Sequence, residues 1–196
     1  MGHDVLLTGV GGQGVVKTSY ILGKSAFERG MDVKVGDSHG SAMRGGSVVG
    51  QVRIGSEIFS PNIPKNQADI LLAFEPLEGI RNVSEYLSDG GLFLMNSRPL
   101  LPFDVQNSDL KYPDIGEMKN ILEDSFRVKV LNSTKLARKA GNARMVGAVM
   151  LGALLSVSDM EIGEKDVLRV IREEFSGDTV ERNIEAFKLG HDCFED

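Results

Sequence analysis

The chain has 196 residues, 41% hydrophobic and 26% charged, a balance that gives a soluble globular protein enough length for a full core. Its net charge of −6 argues against a nucleic-acid backbone or an anionic membrane as partner, while leaving room for a local basic patch. One cysteine, Cys193, supplies neither an internal disulfide nor the four thiolates of an iron–sulfur cluster or structural zinc, which points to a cytoplasmic chain that carries no cluster of its own.

The first apolar run, Val5-Leu6-Leu7, gives way to glycines after about five residues, too short for a signal peptide or a membrane span. It reads as a strand, followed by Gly9-Val10-Gly11-Gly12-Gln13-Gly14 and a helix through Val15, Val16, Leu22, Ala26 and Phe27, closed by Gly30. A short strand, Asp32 to Val35, completes a strand–turn–helix–strand unit that opens a doubly wound sheet. Alternating Val48, Val52 and Ile54 predict another strand, with Gly55-Ser56 turning it into a hairpin that returns through Glu57-Ile58-Phe59. Ala68 to Phe74 is a buried parallel strand by its continuous apolar run, and a helix starts at Pro76 and reaches about Leu87.

Leu92 to Met95 is the next buried strand, ending at Asn96. Residues 97–114 hold three prolines and read as a long connection, before a helix around 116–124 and a strand from Arg127 to Leu131. The C-terminal third is helical, at about 134–140, 142–157, 161–174 and 179–189, with Ser158 and Glu161 spaced as a capping box for the third of these. The helix around 145–155 is apolar, with Gly147, Ala148, Gly152 and Ala153 small enough for close packing, either in the core or toward a neighbouring subunit. The expected fold is therefore α/β, a Rossmann-like mostly parallel sheet flanked by helices, with a β-hairpin insertion and a helical C-terminal third. No repeat or linker divides residues 1–196, which read as a single domain.

Gly9, Gly11 and Gly14 form G-x-G-x-x-G between a strand and a helix. Glycines there let the backbone approach a ligand, and free N–H groups at the helix start attract an anion; Gly12 removes further bulk and Gln13 adds an amide donor. The same motif also serves simple strand–helix packing. It is not a Walker A loop, because Val15-Val16 stand where Lys and Ser/Thr are needed, so P-loop ATP hydrolysis is excluded. Asp37 stands where a Rossmann acid would meet a ribose hydroxyl. Ser38, His39, Arg44, Gly45 and Gly46 follow on the same sheet edge, with Arg44 suited to bidentate contact with phosphate or carboxylate. Their alternative is local: Arg44 paired with Asp37, and His39 on the surface. Glu75 either caps the helix begun by Pro76 or faces the cleft. His3, His191 and Cys193 have no evident catalytic partner, and no residue stands out as a general acid, base or nucleophile.

G-x-G-G-Q-G near the start, S-H-G-x-x-x-R-G-G after the second strand, Ala73-Phe74-Glu75-Pro76-Leu77-Glu78, Gly141-Asn142-Ala143-Arg144-Met145 and the ending from Asn183 to Gly190 resemble the γ-type subunit of 2-oxoacid:ferredoxin oxidoreductases, most closely the small β subunit of the indolepyruvate branch. Asp37 departs from the Glu expected there. The resemblance implies a subunit, inactive alone, of an anaerobic enzyme that decarboxylates a 2-oxoacid on thiamine diphosphate and passes the acyl unit to coenzyme A. It places thiamine diphosphate, magnesium and the iron–sulfur clusters on a larger partner, with ferredoxin reached through the complex. Coenzyme A is the co-substrate that Gly9, Gly11, Gly12, Gln13, Gly14, Ser38, His39, Arg44, Gly45 and Gly46 are expected to hold. Indolepyruvate or another aryl-pyruvate is the first substrate expected, with pyruvate, 2-oxoisovalerate and 2-oxoglutarate as alternatives. A stand-alone dinucleotide-binding protein and a non-catalytic assembly module are the competing readings.

Overall fold

The computed structural model describes residues 2–40, 45–100 and 112–194. One six-stranded sheet runs in the order β2-β3-β1-β4-β5-β6. Its strands are β1 (His3–Val10), β2 (Asp32–His39), β3 (Ser47–Gly55), β4 (Ala68–Ala73), β5 (Leu87–Asn96) and β6 (Arg127–Leu131). Strands β1, β4, β5 and β6 are parallel neighbours, whereas β3 lies between β1 and β2 and is antiparallel to both.

That placement corrects the expected hairpin. The hairpin is formed by β2 and β3, not by β3 and a strand through Glu57-Ile58-Phe59. The chain cannot return beside β3 because both of its edges are already paired. Instead Glu57 takes a positive φ of 59°, the Ile58 N–H donates to the Asp32 carboxylate, and Pro61 packs against Gly36. The second strand also runs on to His39, so Asp37, Ser38 and His39 belong to an edge strand and not to a loop.

The period of two in each buried strand sends alternate side chains to opposite faces. Val5, Leu7, Ile70, Leu72, Leu92 and Leu94 meet α1 (Val15–Glu28), α5 (Val146–Val157), α6 (Glu164–Glu174) and α7 (Asp178–His191) on one face. Leu6, Leu71, Ala73, Phe93 and Met95 meet α2 (Pro76–Tyr86) and α3 (Ile115–Glu123) on the other. Each such leucine, fully removed from water, contributes about 1.5–3 kcal/mol.

Local signals place the helix ends. Glu75 caps α2 through the Glu78 N–H at 3.0 Å, Asn132 caps α4 (Ser133–Lys139) through Lys135 N–H at 2.9 Å, and Asp114 caps α3 through Glu117 N–H at 3.0 Å. The capping box expected at Ser158 and Glu161 is not formed. Helix α6 begins later, behind Gly163, whose N–H donates to the Asp166 carboxylate at 2.9 Å, while Ser158 ends α5. The apolar helix α5 is core: its glycine Gly152 faces the Phe187 carbonyl and Gly190 of α7 faces the Val149 carbonyl, an approach that a Cβ would block. His191, expected past the last helix, is its final residue. Among the described residues no helix is long and apolar enough to cross a membrane.

Candidate functional site

The carboxyl ends of β1, β4, β5 and β6 open on one edge of the sheet, and the carbonyl of Phe74 ties three of them together. Gln13 donates to it at 3.2 Å and Asn96 at 3.0 Å, and Asn96, 1% exposed, also reaches the Thr134 hydroxyl at 3.2 Å. Gln13 closes the glycine loop with its other amide atom, which accepts the Val10 N–H at 2.8 Å. Its side chain is therefore turned into the protein.

The remaining loop residues divide between packing and exposure. Gly9 lies within β1, where a Cβ would meet Gln13, Phe74 and Val15, so its role is close strand–helix packing. Gly11 N–H donates to the Gly46 carbonyl at 2.9 Å, fixing the β2–β3 turn against the loop. Gly12 and Gly14 have φ of 97° and 87° and no atom within 4 Å of an added Cβ, a conformation that glycine adopts at little cost. Gly14 ends the loop as the N-cap of α1 with no side-chain cap and no acid in the first turn. The helix start is thus left open to an anion.

Gly12 forms the ridge between two pockets. On one side, a pocket of about 290 Å³ is bounded by the glycine loop, Val16, Lys17, Val48 and His39. His39 Nε2 lies 2.8 Å from Asp37 Oδ2, so the acid expected at a ribose is engaged within its own strand. Ser38, one residue along β2, points to the other face and lines neither pocket. Gly45, with φ of 73°, continues the turn, while Arg44 lies outside the described residues.

On the other side of Gly12 lies a pocket of about 260 Å³ with three arginines, Arg98, Arg138 and Arg144, together with Thr134 and Leu100. Arg98 follows β5, Arg138 sits in the last turn of α4, and Arg144 lies in the 3₁₀ turn Ala143–Met145 that leads into α5. Asn142 fixes that turn by accepting the Arg144 N–H at 2.9 Å. Among the described residues none of the three guanidinium groups has an acidic partner. An overall acidic chain thus concentrates positive charge at one open pocket beside a helix start, an arrangement suited to a polyanionic phosphate ligand.

The sequence does not single out Arg98 or Arg138, and Arg144 stands there only within the segment Gly141–Met145 that carries part of the family resemblance. A usable signal existed for Arg98 and Thr134, since residues that follow parallel strands share the edge of the glycine loop. His3 is buried in β1 with Nε2 unpartnered among the described residues, and burial pushes the Cys193 thiol up, away from the reactive thiolate.

A family model described as pyruvate ferredoxin/flavodoxin oxidoreductase matches residues 4–193. The chain is 37% identical to the indolepyruvate oxidoreductase subunit IorB of Thermococcus kodakarensis, over 96% of this chain and 94% of that one. Its fold is similar to the pyruvate oxidoreductase subunit PORC of Thermotoga maritima, with a TM-score of 0.75 at 20% identity over 97% of this chain and 96% of that one. A TM-score of 0.74 at 20% identity relates it to the 2-oxoglutarate:ferredoxin oxidoreductase of Magnetococcus marinus, solved with 2-oxoglutarate, coenzyme A and succinyl-CoA; the match covers 96% of this chain and 30% of that one. The chain belongs to the pyruvate ferredoxin/flavodoxin oxidoreductase family.

Proposed function

We propose that this chain is the γ-type subunit of a 2-oxoacid:ferredoxin oxidoreductase and that it holds the phosphates of coenzyme A in the pocket between Gly12 and Arg98, Arg138 and Arg144. The observation that carries this reading is the convergence of three arginines, without an acidic partner among the described residues, from three separate segments beside an uncapped helix start. Coenzyme A presents a pyrophosphate and a phosphomonoester, and arginine forks match such groups well. In this reading the guanidinium groups and the free N–H groups near Gly12 and Gly14 bind and orient the ligand without taking part in proton transfer.

The clusters implied by the family belong on a larger subunit, because a chain with one cysteine cannot build a four-thiolate cage, and in this reading thiamine diphosphate and magnesium are held there with them. When bound there, the thiamine cofactor supplies the decarboxylation chemistry. Likeness to the indolepyruvate subunits at 37% supports indolepyruvate or another aryl-pyruvate as the substrate class, ahead of pyruvate and 2-oxoglutarate, whose subunits are 25% identical. The dinucleotide reading is weakened by β3, which separates β2 and Asp37 from the glycine-loop strand.

The test is reconstitution with the large subunit and an assay of coenzyme-A-dependent acceptor reduction across several 2-oxoacids. Activity should require both proteins. Arg138→Ala and Arg144→Ala should each raise the KM for coenzyme A about 10- to 100-fold, the loss of one charged hydrogen bond, without changing that for the oxoacid. An unchanged coenzyme A KM in both variants would refute the pocket assignment.

A further inference from the structure

Glu75 is 1% exposed, and a carboxylate so deeply buried is costly unless donors surround it. Capping α2 occupies only Oε2, which accepts the Glu78 N–H at 3.0 Å. Oε1 accepts the Tyr112 hydroxyl at 2.6 Å and the Leu100 N–H at 3.2 Å. The Tyr112 oxygen accepts in turn from the Leu77 N–H at 3.0 Å. Burial and the Glu75 carboxylate push the Tyr112 hydroxyl up, so it remains a donor and Glu75 remains the acceptor.

One carboxylate oxygen therefore holds two points of the connection between β5 and α3, Leu100 and Tyr112. Leu100 itself lines the arginine pocket, as does Arg98 two residues before it. The other side of Arg98 is fixed by Ser97, whose N–H donates to the Leu131 carbonyl at 2.8 Å. Arg98 is exposed and sits between these two anchors, with Pro99 limiting the backbone freedom between it and Leu100. Tyr112 also satisfies the Leu77 N–H at the start of α2, but helix capping does not need the Leu100 N–H and does not account for its bond to the second oxygen.

We propose that Glu75 is a positioning residue for the phosphate ligand: through Oε1 it fixes Leu100 and Tyr112 and thereby holds Arg98 at the pocket. This rests on the coenzyme A reading. Glu75 touches no ligand in this scheme and acts only through the backbone that carries Arg98.

The test uses the complex reconstituted with the large subunit, with coenzyme A and the 2-oxoacid varied separately. Tyr112→Phe removes one bond to Oε1 and the acceptor of the Leu77 N–H, while the cap from Glu75 Oε2 to the Glu78 N–H stays intact. It should raise the coenzyme A KM about 3- to 10-fold, the worth of one hydrogen bond, with kcat and the oxoacid KM unchanged. In an Arg98→Ala background the same change should add nothing. Glu75→Asp keeps a capping carboxylate but shortens its reach, and it should give the same pattern if Tyr112→Phe does not fold. An equal rise in the Arg98→Ala background would overturn the inference, as would a joint rise in both KM values with a lower melting temperature. If Arg98→Ala raises the coenzyme A KM and neither Tyr112→Phe nor Glu75→Asp does, positioning fails while the pocket stands. If Arg98→Ala, Arg138→Ala and Arg144→Ala all leave that KM unchanged, the pocket fails and the positioning with it.

Discussion

Gln13 and Asn96, 83 positions apart in sequence, donate to the same acceptor, the Phe74 carbonyl, at 3.2 and 3.0 Å. The glycine loop and the end of β5 are thereby held in register with the end of β4, and the pocket between them inherits that rigidity. Asn96 also donates to Thr134, at the start of α4, extending the tie to the element that carries Arg138.

Asn96→Ala should consequently destabilise the chain by about 1–3 kcal/mol, because it strips hydrogen bonds from buried groups. Urea unfolding should show a lower midpoint at an unchanged slope. A midpoint equal to the parent's would mean that water replaces the amide at no cost.

Gly12 and Gly30 both have positive φ, 97° and 82°, with open space where a Cβ would stand. Alanine at either position should cost about 1–2 kcal/mol of stability through backbone strain alone. Only Gly12→Ala should also raise the coenzyme A KM, since only Gly12 borders the pocket. Melting curves and coenzyme A kinetics on the pair separate strain from ligand contact.

Glu174 of α6 is held down to about 2 by hydrogen bonds first from Lys17, then from Lys24 and Tyr20 of α1. A carboxylate whose folded pKa lies below its unfolded value of 4.5 stabilises the fold at higher pH and loses that contribution as pH falls. The melting temperature should therefore drop between about pH 4.5 and 2 more steeply in the parent than in Glu174→Gln. Parallel profiles would remove Glu174 from the acid response.

Gly152→Ala sets two effects against each other. Helix propensity favours alanine by about 0.5–1 kcal/mol, but the new methyl would collide with the Phe187 carbonyl of α7. Main chain cannot yield as a flexible side chain can, so the expected result is a net loss of about 1–3 kcal/mol in chemical denaturation. A gain in stability would show that α5 and α7 can separate without penalty.

Where sequence reading succeeded, the determining signal was local. Pro76 behind Glu75 marked a helix start with its cap, the run Ala68 to Phe74 marked a buried strand, and Gly30 marked a helix end. Where it failed, a partner was missing from the local pattern. The alternation from Val48 to Ile54 identifies a strand but not its neighbours, so the return through Phe59 was as reasonable as pairing with β2 until β1 took the other edge. Ser158 and Glu161 have capping-box spacing, yet Gly163 and Asp166, each five residues further on, supply the actual start of α6.

By itself the sequence determined the α/β alternation, the glycine turn at the end of the first strand and most helix boundaries, because those depend on periodicity, backbone permissiveness and hydrogen bonds within a few residues. Only the tertiary structure decided that β3 separates β1 from β2, that Gln13 bonds inward, and that Arg98, Arg138 and Arg144 share one pocket. Strand order and side-chain convergence are fixed by packing among segments tens of residues apart, and neither leaves a mark in local spacing.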